Sequence, residues 1–300
     1  MARNTDLADV NEIYCAYFLN NKKFPDPASE KQFNKKMDLL STEQGEQQIG
    51  RAVEMAREFL SWAKGRGYTG VRKVYWTARP GFSFKSVTGT DVDQKKNPTD
   101  VLVEFTKGGF LGLSAKSTSG KGDIGFKNPG VGTVEKDLGI KLSPINKEKE
   151  KQIVESFSLP TSASSRKSAI RRDKAVQKVT DKMGSEVLKE CRDIMLKKLN
   201  TLNVAKRRDY IIKSWIDASA ELYPPYVKVT GKGKGVPYTA DVEDPLNNPK
   251  LKAILSEKIS FEEVGNDSIG VKAGVRFSKK GRGKDDRGVR QNAITIRYEV

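Results

Sequence analysis

An aspartate and a lysine, Asp100 and Lys116, stand at the two ends of a stretch that reads as a β-hairpin: Pro98-Thr-Asp-Val-Leu-Val-Glu-Phe-Thr-Lys-Gly-Gly-Phe-Leu-Gly-Leu-Ser-Ala-Lys116. With a three-residue turn at Lys107-Gly108-Gly109, Thr106 pairs with Phe110. Glu104 then faces Gly112, Leu102 faces Ser114 and Asp100 faces Lys116, all on one side of the hairpin. A carboxylate and an ammonium at one end of a hairpin can hold a divalent cation beside a phosphodiester. The same pair is also an ordinary cross-strand contact worth at most about 1 kcal/mol. The opposite face carries Val101, Val103, Phe105, Leu111, Leu113 and Ala115, an alternation that marks two strands packed on a core.

The chemistry open to this chain is narrow. It contains no histidine and two cysteines, Cys15 and Cys191. Nucleophile–histidine systems and histidine or four-cysteine zinc sites are therefore excluded. Carboxylates, lysine, serine, tyrosine and a hard cation remain, a set that suits phosphate chemistry. The formal charge of +17, from 55 Lys and Arg against 38 Asp and Glu, implies a polyanionic partner, with nucleic acid the usual one. No segment approaches the apolar length of a membrane span, and the N-terminus lacks the order of a signal peptide. Two distant cysteines read as free thiols in a reducing cytoplasm.

Several elements must position the hairpin. Residues 5–40 read as helical, broken at Phe24-Pro25-Asp26-Pro27, with Ile13, Tyr14, Tyr17 and Phe18 as the apolar face. Ser41 and Gln44 have capping-box spacing, opening a helix that runs to about Lys64. Its apolar stripe is Ile49, Ala52, Val53, Ala56, Leu60 and Ala63. Glu46 falls on that stripe, either as a carboxylate aimed at the packed face or as a wet first-turn residue favoured by the helix dipole. A strand follows at about 70–78. Residues 133–139 read as a short helical turn. Residues 146–215 read as basic helices with a break at 158–165. Beyond Tyr223, strands are expected at 226–230, 259–264, 268–277 and 292–298. The expected organisation is a helical segment (1–40), an αβββ core (41–145), a basic helical region (146–220) and a β-rich region (221–300), with Tyr226–Thr230 of the last a candidate to continue the core. There is no internal repeat.

The order helix–strand–strand–strand with Asp100 and Lys116 resembles the core of the PD-(D/E)xK nuclease superfamily. Pro98-Thr99-Asp100 stands at the Pro-Asp step with one residue inserted, and Ser114-Ala115-Lys116 at (Asp/Glu)-x-Lys. The resemblance covers about residues 41–137 and implies an α/β, restriction-endonuclease-like core sheet flanked by helices. It further implies a Mg²⁺-dependent DNA endonuclease of defence or phage type, with Mn²⁺ as a substitute metal. Asp100 and the Ala115 carbonyl would be metal ligands and Lys116 the water-orienting group. Ser114 replaces the second acid. Glu46 on the first helix, or Glu135 on a later one with Asp123 and Asp137 behind it, would supply the missing carboxylate. Duplex DNA is the expected partner, and a homodimer fits an enzyme that cuts both strands. The backbone clamp is expected from Lys121, Lys127, Arg171, Arg172, Lys232 and Lys234, and base reading from Arg287, Arg290 and Asn292. The competing expectation is a basic, non-catalytic nucleic-acid-binding protein, in which Ser114 marks a site that does no chemistry. A third is an RNA-directed or assembly protein.

Overall fold

The computed structural model describes residues 4–92, 97–120, 131–211 and 224–245, with the strand segments 261–264, 268–271, 275–279 and 294–298. The chain divides into two compact units. One comprises Met1–Ile124 with Asp217–Asn248, the other Gly125–Ile216 with Pro249–Val300. The N-terminal helices thus belong to the same unit as the hairpin, and the expected β-rich region is shared between the two.

In the first unit three helices precede the sheet: α1 (Asn4–Leu19), α2 (Pro27–Met37) and α3 (Thr42–Gly65). The Phe24–Pro27 break separates α1 from α2, with Asp26 as the N-cap of α2 and Pro27 in its first turn. The capping box predicted for α3 is present: Gln44 N donates to Ser41 Oγ, and Ser41 N donates to Gln44 Oε1. The buried side of α3 is Gly45, Gln48, Ala52, Met55, Ala56, Phe59 and Ala63, with Arg51 beside it. This stripe is turned by about one residue from the one expected, and Glu46 is exposed. Its carboxylate is the wet one of the two alternatives, although it stands just past the first turn, where Glu43 lies.

A mixed five-stranded sheet follows, in the order β1-β2-β3-β4-β5: β1 (Thr69–Trp76), β2 (Val101–Lys107), β3 (Gly109–Thr118), β4 (Tyr226–Lys232) and β5 (Thr239–Glu243). The chain is therefore mixed α/β. Strand β4 runs parallel to β3, so Tyr226–Lys232 does extend the core sheet, and much of the basic helical region is an insertion between two neighbouring strands.

The hairpin register differs from expectation by one step of the alternation. Phe105 pairs with Gly109, Glu104 with Phe110 and Leu102 with Gly112, because the turn is Thr106–Gly108. Gly108 and Gly109 carry the positive φ angles, 104° and 80°, that this tight connection needs. A two-residue slip leaves every side chain on its expected face. Val101, Val103, Phe105, Leu111, Leu113 and Ala115 accordingly pack with Val227 and Val229 against α1 and α3. On the other face Leu102 is covered by Phe82 and by Phe84 of α4 (Phe84–Thr88).

In the second unit, α5 (Val131–Leu138), α6 (Ser143–Ser156), α7 (Ala163–Arg172), α8 (Lys174–Thr201) and α9 (Val204–Ile211) are followed by a four-stranded antiparallel sheet. Its strands are β6 (Phe261–Val264), β7 (Ser268–Val271), β8 (Val275–Lys279) and β9 (Ile294–Tyr298). The single strand expected at 268–277 is two paired strands, with Ile269 opposite Phe277. Helix α8 buries Thr180, Val187, Cys191, Met195 and Leu199 at helical spacing, while Lys178, Lys182 and Lys197 are exposed. No described helix is long and apolar enough to cross a membrane.

Helix α3 lies unusually close to β4. A Cβ on Gly231 would stand 2.7 Å from Met55 Sδ and 2.9 Å from Arg51 Cβ. The Arg51 Cβ is fixed to the helix backbone and cannot swing aside. Gly231→Ala is therefore expected to push α3 off the sheet and cost about 1–3 kcal/mol. Urea unfolding reads this as a lower midpoint at unchanged slope.

Candidate active site

The ladder between β2 and β3 closes with Val101 opposite Leu113, and one further bond, Asp100 N to Leu113 O, 2.9 Å. Beyond that point the Ala115 N–H has no partner on β2. The Asp100 side chain takes it: Ala115 N donates to Asp100 Oδ2 at 2.7 Å, and Lys116 Nζ donates to the same oxygen at 3.1 Å. Both side chains are about three-quarters buried. Thr77 clamps the approach to Asp100, with Oγ1 donating to Thr99 O at 2.5 Å and N donating to Asp100 O at 3.1 Å. Asn97 Oδ1 accepts the Thr99 N–H. The carboxylate is thus held by the Ala115 backbone while Thr77 and Asn97 hold the main chain that carries it, which restricts its rotamers and fixes the position of the ammonium.

The second carboxylate of this cluster is Glu12, on α1. Trp76 Nε1, at the end of β1 opposite Val101, donates to Glu12 Oε2 at 3.2 Å. Burial holds the Glu12 pKa well above the ordinary carboxylate value, and the negative charge of Asp100 raises it further. The Trp76 hydrogen bond and the Lys116 charge only partly offset this, and Asp9 adds to the rise. Cys15, one turn along, is a buried thiol on Ala52 O, pushed up by burial and then by Glu12 and Asp100. It is not a nucleophile.

Glu12 was legible in the sequence by the argument applied to Glu46. Cys15, Ala16 and Leu19 lie three, four and seven residues beyond it, and all three are buried. Glu12 therefore sits on the packed stripe of α1, while the aromatic face Tyr14, Tyr17 and Phe18 is only partly buried.

The remaining candidates separate. Ser114 is buried; on β3 it lies beside Lys228 of β4, whose ammonium is paired with Glu243 of β5 at 2.7 Å. Glu135 belongs to the second unit, where its carboxylate accepts from Leu142 N (2.6 Å), Ser143 N (2.5 Å) and Ser143 Oγ (2.6 Å). It caps the start of α6. Burial alone would raise its pKa, but these hydrogen bonds outweigh burial and lower it. Asp137 lies on the same helix, and Asp123 lies outside the described residues. Ala115 contributes its N–H to Asp100. Among the described residues no three Asp, Glu, His or Cys side chains cluster as a ready metal cage.

Of the expected backbone contacts, Lys121, Lys127, Arg287, Arg290 and Asn292 lie outside the described residues. Arg171 and Arg172 end α7, with Arg172 exposed. Lys232 of β4 pairs with Asp241 of β5, and Lys234 is exposed in the loop that follows.

Beside the Asp100–Lys116 pair, α1 and α3 face the end of β3 across a cleft of about 490 Å³. Asn11, Gln48 and Arg51 line the helical side, and Ala115, Ser117 and Thr118 the strand side. Asn11 Nδ2 donates to Gln48 O, and Ser117 Oγ donates to Gln48 Oε1 at 2.9 Å, tying both helices to β3.

The raised Glu12 pKa gives a pH signature. The folded state retains a proton that the unfolded chain releases near pH 4.3, so the associated stability is complete below that value and is lost as pH rises through the folded pKa. Glu12→Gln, measured in metal-free buffer, is expected to match the parent in melting temperature at pH 4 and to exceed it increasingly toward pH 8. Equal melting curves at all pH values would contradict the assignment. Comparison with known proteins returns no match: no protein-family model fits the chain, and no curated protein matches it.

Proposed function

We propose that this chain is a metal-dependent deoxyribonuclease with a restriction-endonuclease-like core, acting on duplex DNA in a reducing cytoplasm. One observation carries the reading: two carboxylates, Glu12 and Asp100, share a single nearby ammonium, Lys116, at a strand end beside a polar cleft. Such a cluster is short of positive charge. Burial disfavours ionisation of Glu12 first and the charge of Asp100 adds to it, and a hard divalent cation is the group that would relieve both. Oxygen donors of this kind suit Mg²⁺, with Mn²⁺ as a substitute.

Asp100 and Glu12 would hold the metal. When bound, it supplies polarisation of a phosphate oxygen and makes water a nucleophile near neutral pH. Asp100 keeps the Lys116 ammonium at one oxygen and so orients it. Lys116 would align the attacking water and stabilise charge developing on phosphorus. The net charge of +17 supports a polyanionic substrate, and the exposed lysines of α8 and Lys234 are available to phosphates. Glu135 and Glu46 have no part in this reading, since one caps α6 and the other faces solvent.

The absence of a three-carboxylate group among the described residues favours a second reading, a basic binder of nucleic acid without catalysis. Cleavage of supercoiled plasmid and linear duplex separates them. With Mg²⁺ or Mn²⁺ the parent is expected to cut, and EDTA to stop it. Asp100→Ala, Lys116→Ala and Glu12→Gln should each lose about 100-fold or more while circular dichroism stays native. Folded parent protein that binds duplex with a steep salt dependence yet cuts neither DNA nor RNA under either metal would overturn the nuclease reading in favour of the binder.

A further inference from the structure

Arg51 is the outlier of α3. It is 3% exposed, yet among the described residues its one hydrogen bond is from Nη1 to Gly233 O, at 2.7 Å, and its Nε has no acceptor. No carboxylate pairs with it among the described residues. A buried guanidinium without an anion is costly, because its desolvation is not repaid by a charge of opposite sign. Burial accordingly holds its pKa below the ordinary arginine value. Such a group is retained at a cost to stability, and it lines the cleft beside Asp100 and Lys116.

Apart from Leu7, Ala8 and Ala115, the rest of the lining has matching chemistry. Gln44, Gln47 and Gln48 come from α3, and Ser117, Thr118 and Ser119 from the end of β3. These are neutral hydrogen-bonding groups, and no carboxylate lines the cleft among the described residues. The volume, about 490 Å³, exceeds what a lone small anion fills and lies in the range of sites that hold a nucleotide-sized ligand. The fold closes tightly around this arginine. Gly50 and Gly231 leave room for Tyr238 and for α3 respectively, and that close approach brings Gly233 O onto Nη1.

We propose that this cleft receives a phosphate-bearing nucleotide of the bound strand, with the phosphate on Arg51 and the attached nucleoside among the glutamine and serine side chains. The guanidinium fork matches phosphate oxygens in pairs, and the ligand supplies the anion that the fold leaves out. This rests on the reading of the chain as a nucleic-acid-processing protein, which gives the phosphate its source. Ala115 fixes the adjacency. It lines the cleft and donates its N–H to Asp100, so a phosphate on Arg51 would neighbour the phosphodiester at Asp100 and Lys116.

The test is binding in EDTA, where cleavage plays no part. Full-length protein is titrated with inorganic phosphate, and with 5′-phosphorylated, 3′-phosphorylated and unphosphorylated oligonucleotides of one sequence. Arg51→Gln is expected to weaken the phosphate-dependent binding about tenfold or more. Because Arg51 is buried, Gln44→Glu serves as the independent variant. Glutamate serves the capping box as well as glutamine, so the helix start is kept while a negative charge enters the cleft wall. It should weaken phosphate binding several-fold without lowering the melting temperature. Preference for one phosphorylated end would assign a terminal phosphate. Equal binding of all three oligonucleotides, weakened alike by both variants, would assign an internal one. Phosphate and oligonucleotide binding unchanged in both variants would overturn the proposal, even if metal-dependent cleavage is found. Binding that depends on Arg51 and Gln44 would sustain it even if cleavage is absent.

Discussion

One hydrogen bond organises the candidate site: the Ala115 N–H to the Asp100 carboxylate. Where β2 stops pairing, β3 exposes a backbone donor, and an aspartate one residue before the strand supplies the acceptor that the ladder no longer offers. The bond is charge-assisted and sits at the rim of a packed sheet, so it is stronger than a neutral ladder bond. It also determines what the next side chain does. With Asp100 tied to residue 115, the ammonium of residue 116 falls on the same oxygen, and the ion pair is a consequence of the backbone geometry. Thr77 and Asn97 fix the Asp100 backbone from the other side. A register slip of two residues relative to the expected hairpin leaves this arrangement intact, because the reach of lysine absorbs it.

The core explains why such a rim can be held rigid. One face of the sheet packs on α1 and α3 through a continuous apolar layer, from Val10 and Ile13 to Phe59 and Val229. Each helix also delivers polar residues to the strand ends: Glu12 and Asn11 from α1, Gln48 and Arg51 from α3. Gln48 links the two sides, accepting from Asn11 through its carbonyl and from Ser117 through its side chain. The buried stripe of each helix is therefore apolar along most of its length and polar where it meets the end of β3. In a folded chain that departure from apolar patterning is expected at sites that bind or react.

What was legible follows from what carries a period. The hairpin faces, the capping box at Ser41 and Gln44, and the helical break before α7 rest on local spacing, and the structure has all three. The parallel pairing of β3 with β4 spans a long insertion, and only the apolar texture of Tyr226–Thr230 hinted at it. The division into two units was not legible, since strands near the C-terminus read alike whether they extend the first sheet or build another. The α3 stripe failed by about one residue. Ile49, Val53 and Leu60 are apolar by type but only half-buried, whereas Gly45 and Gln48 are buried because they meet Met37 and β3. That small rotation is what moves Glu46 into solvent and Arg51 into the cleft.

Charge placement explains how a serine can stand at position 114. On that face of the sheet Ser114, Lys228 and Glu243 lie in register across β3, β4 and β5, and the lysine is already neutralised by the glutamate. An acid at 114 would compete for the same buried ammonium and leave one carboxylate without a counter-charge, a costly arrangement at such burial. Glu12 approaches from a helix instead, beside Asp100 and Lys116, where burial and the neighbouring carboxylate disfavour its ionisation. The buried ammonium beside Ser114 has its carboxylate within the same row, and the Arg51 cleft next to Asp100 is lined by no carboxylate among the described residues. Asp100 and Arg51 thus bring charges of opposite sign to the neighbourhood of Ala115, which donates to one and lines the cleft of the other.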